Sequence, residues 1–316
     1  MTVQELRSEI ERRPADAATQ RRFERARRDV VYEEVSASCA IAGVQLPSTA
    51  IRRLVERGLA PAGPIGDHLL VLGYAHAALG IARERPVTAP VRRLITVPEI
   101  ERLHMTIVAP LAATRGAVRP EAWRRTNLPP VREGMVTVPH WLIEFEMSAL
   151  VDRIGGGPAT ATDDALFAWL ADTYERLERI QPFVEGNGRV ARLVVNLMLA
   201  RVGYPPVTIS AQLLDAYRRA LRAADAGDRA PLAAIFERAL RANLARLVAA
   251  TFDARHLAPL AAFARKGVSL DALRKAAQRG RLHTVAHGRQ LVTTQEWVER
   301  YLDEKSRAGR PPRRGR

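Results

Sequence analysis

The sequence predicts a mainly α-helical protein, with a large helical core that carries one small β-hairpin and a smaller second unit at the C-terminus. Hydrophobic residues make up 47% of the 316-residue chain but aromatic residues only 5%, so Ala, Leu, Val and Ile must fill the interior. Between residues 67 and 247 apolar positions recur at helical spacing, and short Pro/Gly connectors separate the helices. A chain of this length accommodates about two domains.

Five segments follow one another along the chain. Composition and periodicity divide it into N-terminal helices (1–58), a helical core (59–250), a linker (251–258), a basic helix-and-hairpin unit (259–305) and a basic tail (306–316). The first segment predicts two or three helices, with a break at its Leu-Pro-Ser sequence. The tail has no apolar residue to bury beyond alanine and proline, so we expect it to be disordered.

One glycine-rich turn and one hairpin interrupt the predicted helices of the core. Thr162 is a suitable N-cap for a helix through Ile180, and the helix after the turn stops at Gly203. Residues 129–139 form a weaker, extended stretch, and Glu133-Gly134 predicts the turn of a small β-hairpin. The glycine-rich turn therefore lies between two buried helices.

Composition and cysteine usage exclude several classes of protein. The longest nearly uninterrupted apolar stretch, residues 69–82, has 14 residues, short of the roughly 18 needed to span a bilayer. The first residues are charged and lack the apolar region of a secretory signal, so we expect a cytoplasmic protein without a membrane partner. The single cysteine, Cys39, predicts neither an intrachain disulfide nor a structural zinc site.

Positive charge is concentrated near the C-terminus. Lysine and arginine number 49 against 34 acidic residues, a net charge of +15. Residues 259–316 alone contain 14 basic and 5 acidic side chains, a net charge of +9. A localised excess of this kind favours a polyanion, so DNA is the expected partner of this segment. An arginine-rich, solvated appendage is the alternative interpretation.

The basic segment also has an ordered pattern of elements. The pattern predicts a winged helix-turn-helix. Its elements are a short helix, a turn, a second helix capped by Ser269, a hairpin at His287-Gly288, and a last helix that begins after the capping-box pattern Thr293-x-x-Glu296. The segment resembles the excisionase-like or MerR-like DNA-binding module, whose second helix enters the major groove. In that picture the candidates for DNA contacts are Arg274, Lys275, Gln278, Arg279 and, on the wing, Arg289.

The main candidate for a ligand-binding site is residues 181–192 (QPFVEGNGRVAR), where a glycine-rich turn leads into a helix. Three successive backbone amides can point into one concavity at the helix N-terminus, which favours an anion. These amides belong to Gly186, Asn187 and Gly188. Arg189 and Arg192 can add charge-assisted contacts to phosphate oxygens, and Glu185 supplies one oxygen ligand for Mg²⁺. The pattern predicts a cradle for a di- or triphosphate, with a simple helix connector as the alternative.

The ordered run resembles the signature of the Fic (Fido) family, His-Pro-Phe-x-Asp/Glu-Gly-Asn-Gly-Arg-x-x-Arg, at every defined position except the first. Leu103-His104 and residues 116–119 (GAVR) are similar to the family's Leu-His helix and Gly-x-x-Arg turn, and the resemblance covers about residues 67–247. It implies a helical core that binds ATP or a related nucleotide with Mg²⁺ and transfers AMP to a hydroxyl of a protein target. Residues 132–138 would then form the flap that aligns the target segment.

The first position of the signature departs from the family. Gln181 stands where the family has a histidine that acts as general base for the attacking hydroxyl. An amide has no proton-accepting site with a useful pKa, and losing a general base typically removes about 10² to 10⁴ in rate. The first expected function is therefore a DNA-binding regulator with a degenerate, nucleotide-binding Fic domain. The alternative is an active Fic-type adenylyltransferase, or another nucleotidyl or phosphoryl transferase, that works without the histidine.

A second departure lies in the N-terminal helices. Residues 38–43 (SCAIAG) resemble the Ser/Thr-x-x-x-Glu-Gly/Asn segment of the family's inhibitory helix, with Ser38 and Gly43 at defined positions. In the family the glutamate of this segment pairs with the second motif arginine, and here Ala42 replaces it. The resemblance therefore implies that both the general base and the inhibitory carboxylate are missing.

Overall fold

The computed structural model describes residues 2–12, 16–115, 123–160, 162–252, 257–265, 268–279, 281–287 and 290–308. Helices dominate these ranges, so the prediction of a mainly helical protein is confirmed. The helices are α1 (Val3–Glu11), α2 (Ala17–Ile41), α3 (Ser48–Arg57), α4 (Ile65–Ile81), α5 (Val97–Arg115), α6 (Ile143–Ile154), α7 (Asp163–Ile180), α8 (Asn187–Arg201), α9 (Leu214–Asp225), α10 (Ala230–Ala250), α11 (Leu270–Gln278) and α12 (Gln295–Ala308). The strands are β1 (Ala258–Pro259), β2 (Val285–His287) and β3 (Gln290–Thr293).

The chain forms two compact units. One consists of Arg27–Asn243, and the other combines Met1–Ala26 with Leu244–Arg316. The segment boundaries drawn from the sequence stay predictions about which parts fold independently. In the described part of the chain, no helix combines the length and the apolar character needed to cross a membrane.

The core of the larger unit is centred on α8. Ten consecutive residues of this helix, 190–199, are buried, so other elements cover it on all sides. Helices α4 and α5 approach each other closely at Gly73, where a Cβ atom would lie 2.3 Å from the carbonyl oxygen of Ile107. Burial of each aliphatic side chain in such a core contributes about 1.5–3 kcal/mol. The N-terminal end of α8, where the predicted site lies, is thus built on the most buried helix of the unit.

Local signals fix both ends of α7. The side chain of Thr162 accepts a 3.3 Å hydrogen bond from the amide of Ala165, so the predicted N-cap is confirmed. At the other end the amide of Gln181 donates to the carbonyl of Leu177 over 3.1 Å, and Gln181 has a φ of 43°. The helix therefore ends at the first residue of the glycine-rich motif.

The β-hairpin predicted for residues 129–139 is wrong. A turn does occur at the expected place, where Gly134 has a φ of 82°, but the residues beside it form no strand. The amide of Val138 donates instead to the carbonyl of Arg179 over 3.0 Å, at the end of α7. The prolines at positions 129 and 130 have no amide hydrogen to offer to a ladder. The segment is an irregular loop that is bonded to α7.

In the smaller unit the three strands form an antiparallel sheet in the order β1–β3–β2. The predicted C-terminal hairpin is confirmed by the pairing of β2 with β3, in the register Val285↔Val292, while residues 288–289 at its turn lie outside the described residues. A single 3₁₀ turn, Leu260–Phe263, stands where the first short helix was predicted. Helix α11 begins after Ser269, whose side chain caps it as predicted.

The cap of α12 differs from the prediction by one residue. Thr293 belongs to β3, and its hydroxyl donates to the carbonyl of His283 over 2.7 Å. Thr294 takes the capping position, and its side chain accepts a 3.2 Å bond from the amide of Trp297. The predicted capping box of Thr293 and Glu296 is wrong because the strand already holds Thr293.

Candidate functional site

The candidate site is the turn between α7 and α8. It begins at Gln181, with φ at 43°, and ends at Gly186, with φ at 82°. Glycine adopts this left-handed region at little cost, whereas a glutamine must be held in it. The carbonyl of Gln181 accepts a 2.7 Å bond from Nε of Arg124, and the residue is buried. These backbone constraints fix the point from which the side chain of Gln181, which replaces the motif histidine, leaves the main chain.

The N-terminus of α8 presents amide groups without a side-chain cap. Its N-cap is Gly186, which has no side chain to accept from them. The side chain of Asn187 turns back to the loop, where Oδ1 accepts from the amide of Phe183 (2.9 Å) and Nδ2 donates to its carbonyl (2.7 Å). The asparagine side chain therefore closes the turn. The N-cap residue thus provides no side-chain acceptor for the first-turn amides, including that of Gly188. Their binding of a phosphate stays a prediction.

His104 supports the turn from α5. Its ring stacks on Phe183 with a centroid separation of 3.8 Å and an interplanar angle of 6°. Nε2 lies 3.1 Å from the carbonyl oxygen of Glu185, and it carries the hydrogen because a carbonyl can only accept. Burial lowers the pKa of His104 to about 4 despite this bond, so the ring is neutral near pH 7. Its contacts make it a support for the loop, and residues 116–119 of the same resemblance lie outside the described residues.

Arg189 lies buried at the same turn, with 9% of its surface exposed. A Cβ atom at Gly186 would lie 3.4 Å from Nη2 of this arginine, so the guanidinium lies beside the turn. Burial lowers the pKa of Arg189, and the nearby charge of Arg192 acts in the same direction. An anion at the α8 N-terminus would offset both unfavourable effects.

Arg192 is bound to helix α2. Its Nε donates to the hydroxyl of Ser38 over 2.5 Å, and its Nη2 donates to the Ser38 carbonyl over 3.1 Å. Ala42 and Gly43 are exposed just beyond the end of α2. Position 42 lacks the carboxylate that pairs with this arginine in the family, so nothing in the sequence suggested a contact from this segment. The structure shows that Ser38 of the same segment makes one.

Glu34 belongs to the same buried cluster, one turn before Ser38 on α2. Its carboxylate accepts a 2.7 Å bond from the hydroxyl of Tyr74. Burial raises the pKa of Glu34 to about 7, against the lowering effects of that bond and of Arg192. No sequence motif singled out this glutamate, although its spacing of four residues from Ser38 places both on one helix face.

Glu185 is exposed beside the N-terminus of α8. Among the described residues no group of three or more His, Cys, Asp or Glu side chains could hold a metal. Mg²⁺ commonly takes one or two protein carboxylates and completes its octahedron with phosphates and waters. The donor set therefore fits a magnesium ion that arrives with a nucleotide, and Glu185 is the residue that would hold it.

Arg124 connects the loop that follows it, residues 125–138, to the turn between α7 and α8. No sequence pattern singled out this arginine. Only 2% of the residue is exposed. Its guanidinium donates to the carbonyl groups of Thr126 (2.7 Å), Val138, Ile180 (3.2 Å) and Gln181 (2.7 Å). The role of Arg124 could not be predicted from the sequence, because its acceptors are backbone carbonyl groups up to 57 positions away along the chain.

A second arginine, Arg132, fixes the middle of the same loop, where the expected flap begins. Its guanidinium pairs with Glu178 of α7 at 2.7 Å and with Asp225 of α9 at 2.6 Å. Both carboxylates are almost fully buried, so these pairs are shielded from water. The stretch expected to act as a flap is thus anchored at both ends.

In the smaller unit, the predicted DNA-contacting side chains of α11 lie on one exposed face. They are Arg274, Lys275, Gln278 and Arg279. Leu273 and Ala276 are buried on the opposite side. Arg289 lies outside the described residues, as does the end of the tail, residues 309–316.

Residues 94–199 match the model of the Fic/DOC family. This segment is a Fic domain. The protein adenylyltransferase Fic of Drosophila virilis is 28% identical over 215 residues, which are 66% of this chain and 40% of that protein. The protein adenylyltransferase fic-1 of Caenorhabditis briggsae is 27% identical over 252 residues, 79% of this chain and 46% of that protein. The chain thus spans less than half the length of these curated relatives.

Solved structures show the same fold. Fic-1 of C. elegans (residues 134–508) superposes with a TM-score of 0.63 at 23% identity, covering 78% of this chain and 69% of that one. A Fic family protein from Desulfovibrio desulfuricans gives a TM-score of 0.60 at 18% identity and covers 93% of this chain and 94% of that one. The prediction of a Fic-type helical core is confirmed.

Proposed function

We propose that the Fic domain binds a nucleoside triphosphate with Mg²⁺ and transfers its AMP group to a hydroxyl side chain of a protein. One observation carries this proposal: the uncapped N-terminus of α8 and the buried guanidinium of Arg189 converge on one turn. Amide donors, the helix dipole and a guanidinium all favour phosphate. The curated relatives, which are named protein adenylyltransferases, support the same activity.

Each part of the turn has a separate task in this proposal. The amides of residues 186–188 and Arg189 hold phosphate oxygens and stabilise the charge that develops as the target hydroxyl bonds to the α-phosphorus and pyrophosphate leaves. Glu185 would hold Mg²⁺, which would offset part of the negative charge of the phosphates. Gln181 hydrogen-bonds to the attacking hydroxyl, whose proton must pass to water or to a phosphate oxygen. We therefore expect transfer by the natural chain to be slow.

Arg192 takes part only after its contact with α2 opens. Its two bonds to Ser38 use donors that a triphosphate would otherwise receive. In this proposal the contact holds the domain in a resting state, and binding of a complete triphosphate competes with Ser38 for the arginine.

Replacing Arg189 with alanine should weaken Mg²⁺-dependent binding of ATP by at least tenfold. Charge-assisted hydrogen bonds contribute about 1.5–3 kcal/mol, and 1.4 kcal/mol corresponds to a factor of ten. Titration calorimetry with and without Mg²⁺ measures the effect, and Arg219→Ala, which removes an exposed arginine of α9, is the matched control. If the natural protein binds no nucleotide at millimolar concentration, the motif is a structural turn and the proposed function is wrong.

We also propose that the smaller unit binds DNA, which would make the chain a regulator whose Fic domain responds to a nucleotide. Two observations support this: the exposed basic face of α11 and the net charge of +9 over residues 259–316. In a winged helix-turn-helix, α11 would enter the major groove and the β2–β3 hairpin would follow the backbone. An arginine-rich solvated surface is the competing explanation.

A triple substitution of Arg274, Lys275 and Arg279 to alanine should weaken DNA binding and reduce the slope of log K against log salt by about three. Each lost phosphate contact lowers that slope by roughly one. The same change of charge at Arg218, Arg219 and Arg222, exposed on α9, is the control. Gel-shift titrations at several salt concentrations measure both variants. Equal losses in the two variants would assign binding to net charge and contradict a site on α11.

A further inference from the structure

One peptide unit, the bond between Glu185 and Gly186, connects the contact with His104 to the start of α8. Its carbonyl oxygen, which belongs to Glu185, lies 3.1 Å from Nε2 of His104 and accepts the hydrogen of that nitrogen. Its amide belongs to Gly186, the N-cap of α8, and donates to no other residue in the described part of the chain. The orientation of this peptide unit therefore decides which polar group faces the helix N-terminus.

The carbonyl and the amide of a trans peptide unit point to opposite sides of the chain. The described residues include no cis peptide bond. Because the Glu185 carbonyl points toward His104, the Gly186 amide of the same unit points away from it. In this orientation the amide can join those of Asn187 and Gly188, which begin the first turn of α8.

The glycine at position 186 makes the opposite orientation accessible as well. Rotating the peptide unit by half a turn would carry φ of Gly186 from 82° to a negative value, and glycine adopts both signs of φ about equally readily. The rotated unit would present the Glu185 carbonyl where the amide now points. A carbonyl oxygen carries negative partial charge, so it would repel a phosphate oxygen. Only the observed orientation suits an anion.

The imidazole of His104 is itself held in place. Its ring stacks on Phe183 at a centroid separation of 3.8 Å, and only 5% of the residue is exposed. Phe183 is fixed in turn by the Asn187 side chain, which bonds to its amide and its carbonyl. Three residues further along α5, Cδ1 of Ile107 lies 3.1 Å from where a Cβ atom of Gly186 would be. A donor on a ring held in this way selects one orientation of the peptide unit.

We propose that His104 is a positioning residue of the phosphate site, which holds the carbonyl of Glu185 and thereby turns the amide of Gly186 toward the bound phosphate. This inference rests on the proposed binding of a nucleotide at the N-terminus of α8. His104 itself touches neither the nucleotide nor the reacting atoms. Without its donor, part of the population carries the peptide unit in the rotated orientation, and the apparent affinity falls in proportion to the competent fraction.

Two substitutions at position 104 separate the hydrogen bond from the stacking contact. His104→Phe keeps a flat ring beside Phe183 but has no donor, whereas His104→Gln keeps an N–H donor of similar reach and loses the ring. We expect His104→Phe to weaken Mg²⁺-dependent ATP binding by a factor of about 3 to 10, the range that one neutral hydrogen bond supports. His104→Gln should bind ATP more tightly than His104→Phe, yet unfold at a lower urea concentration, because a polar chain replaces a buried ring.

Opposite rank orders in affinity and in stability distinguish positioning from simple support of the fold. Titration calorimetry with ATP and urea unfolding of the same full-length proteins measure the two orders. If affinity follows stability, so that His104→Gln binds ATP less tightly than His104→Phe, the proposal is overturned. The matched control is His76→Phe, which changes an exposed histidine of α4 and should leave both quantities unchanged.

A spectroscopic measurement tests the hydrogen bond without any nucleotide. Nitrogen NMR of the full-length protein with isotope-labelled histidine should show a hydrogen on Nε2 of His104, whose signals are assigned through their loss in His104→Gln. A ring without that hydrogen cannot donate to the Glu185 carbonyl, and this result would also overturn the proposal. If the natural protein binds no ATP at millimolar concentration, the proposed function is wrong, and the imidazole spectrum still decides whether His104 holds the Glu185 carbonyl.

Discussion

Replacing Gln181 with histidine should raise AMP transfer by about 10² to 10⁴, the usual contribution of a general base. Glutamine and histidine have similar reach, and an imidazole accepts a proton near neutral pH where an amide does not. Histidine also tolerates a positive φ better than most residues do, which suits the observed 43°. The imidazole would therefore stand where the amide stands, on an unchanged backbone.

Transfer of label from α-labelled ATP to protein measures this change. The double variant Gln181→His with Arg189→Ala is the control and should lose most of the gain, because nucleotide binding is weakened and the charge that develops on the phosphate oxygens loses the guanidinium that stabilises it. Adding Ser38→Ala to Gln181→His should raise transfer further, since the Ser38 hydroxyl no longer occupies Nε of Arg192. Equal labelling by the natural protein and Gln181→His would contradict the role given to position 181 and show that the chain needs no histidine.

Replacing Arg124 with alanine should lower the free energy of unfolding by about 3–5 kcal/mol. The substitution leaves buried carbonyl groups of the loop and of the motif turn without their donor, and each buried unsatisfied group costs about 1–3 kcal/mol. Its effect extends to the site, because the loop through Val138 and the backbone of Gln181 both depend on this one guanidinium.

Urea unfolding followed by circular dichroism measures the loss. Arg125→Ala is the matched control, since this neighbouring arginine is exposed and such a change usually stays within about 0.5 kcal/mol. Arg124→Lys should recover part of the stability, because an ammonium reaches some of the carbonyl groups but lacks the planar fork of donors. A loss in Arg124→Ala no larger than that in Arg125→Ala would show that water satisfies the carbonyl groups equally well.

The sequence by itself determined the features that depend on neighbouring residues. Helical periodicity places α7 and α8 on either side of the motif, and the caps at Thr162 and Ser269 follow from a hydroxyl and an amide three residues apart. The glycine at position 186 permits the left-handed N-cap that leaves the first-turn amides uncapped. These signals are local, so they can be recognised from the order of residues along the chain.

The tertiary structure alone decided which distant groups meet. Ser38 and Arg192 are 154 positions apart, and only the tertiary structure shows that a serine of α2 bonds to this arginine in a chain that lacks the family's glutamate. The predicted hairpin is absent for the same reason, because the amide of Val138 donates to the carbonyl of Arg179 at the end of α7 and not across a strand. Most hydrogen-bonding groups in a protein interior are paired, and which partner each one takes depends on the whole fold.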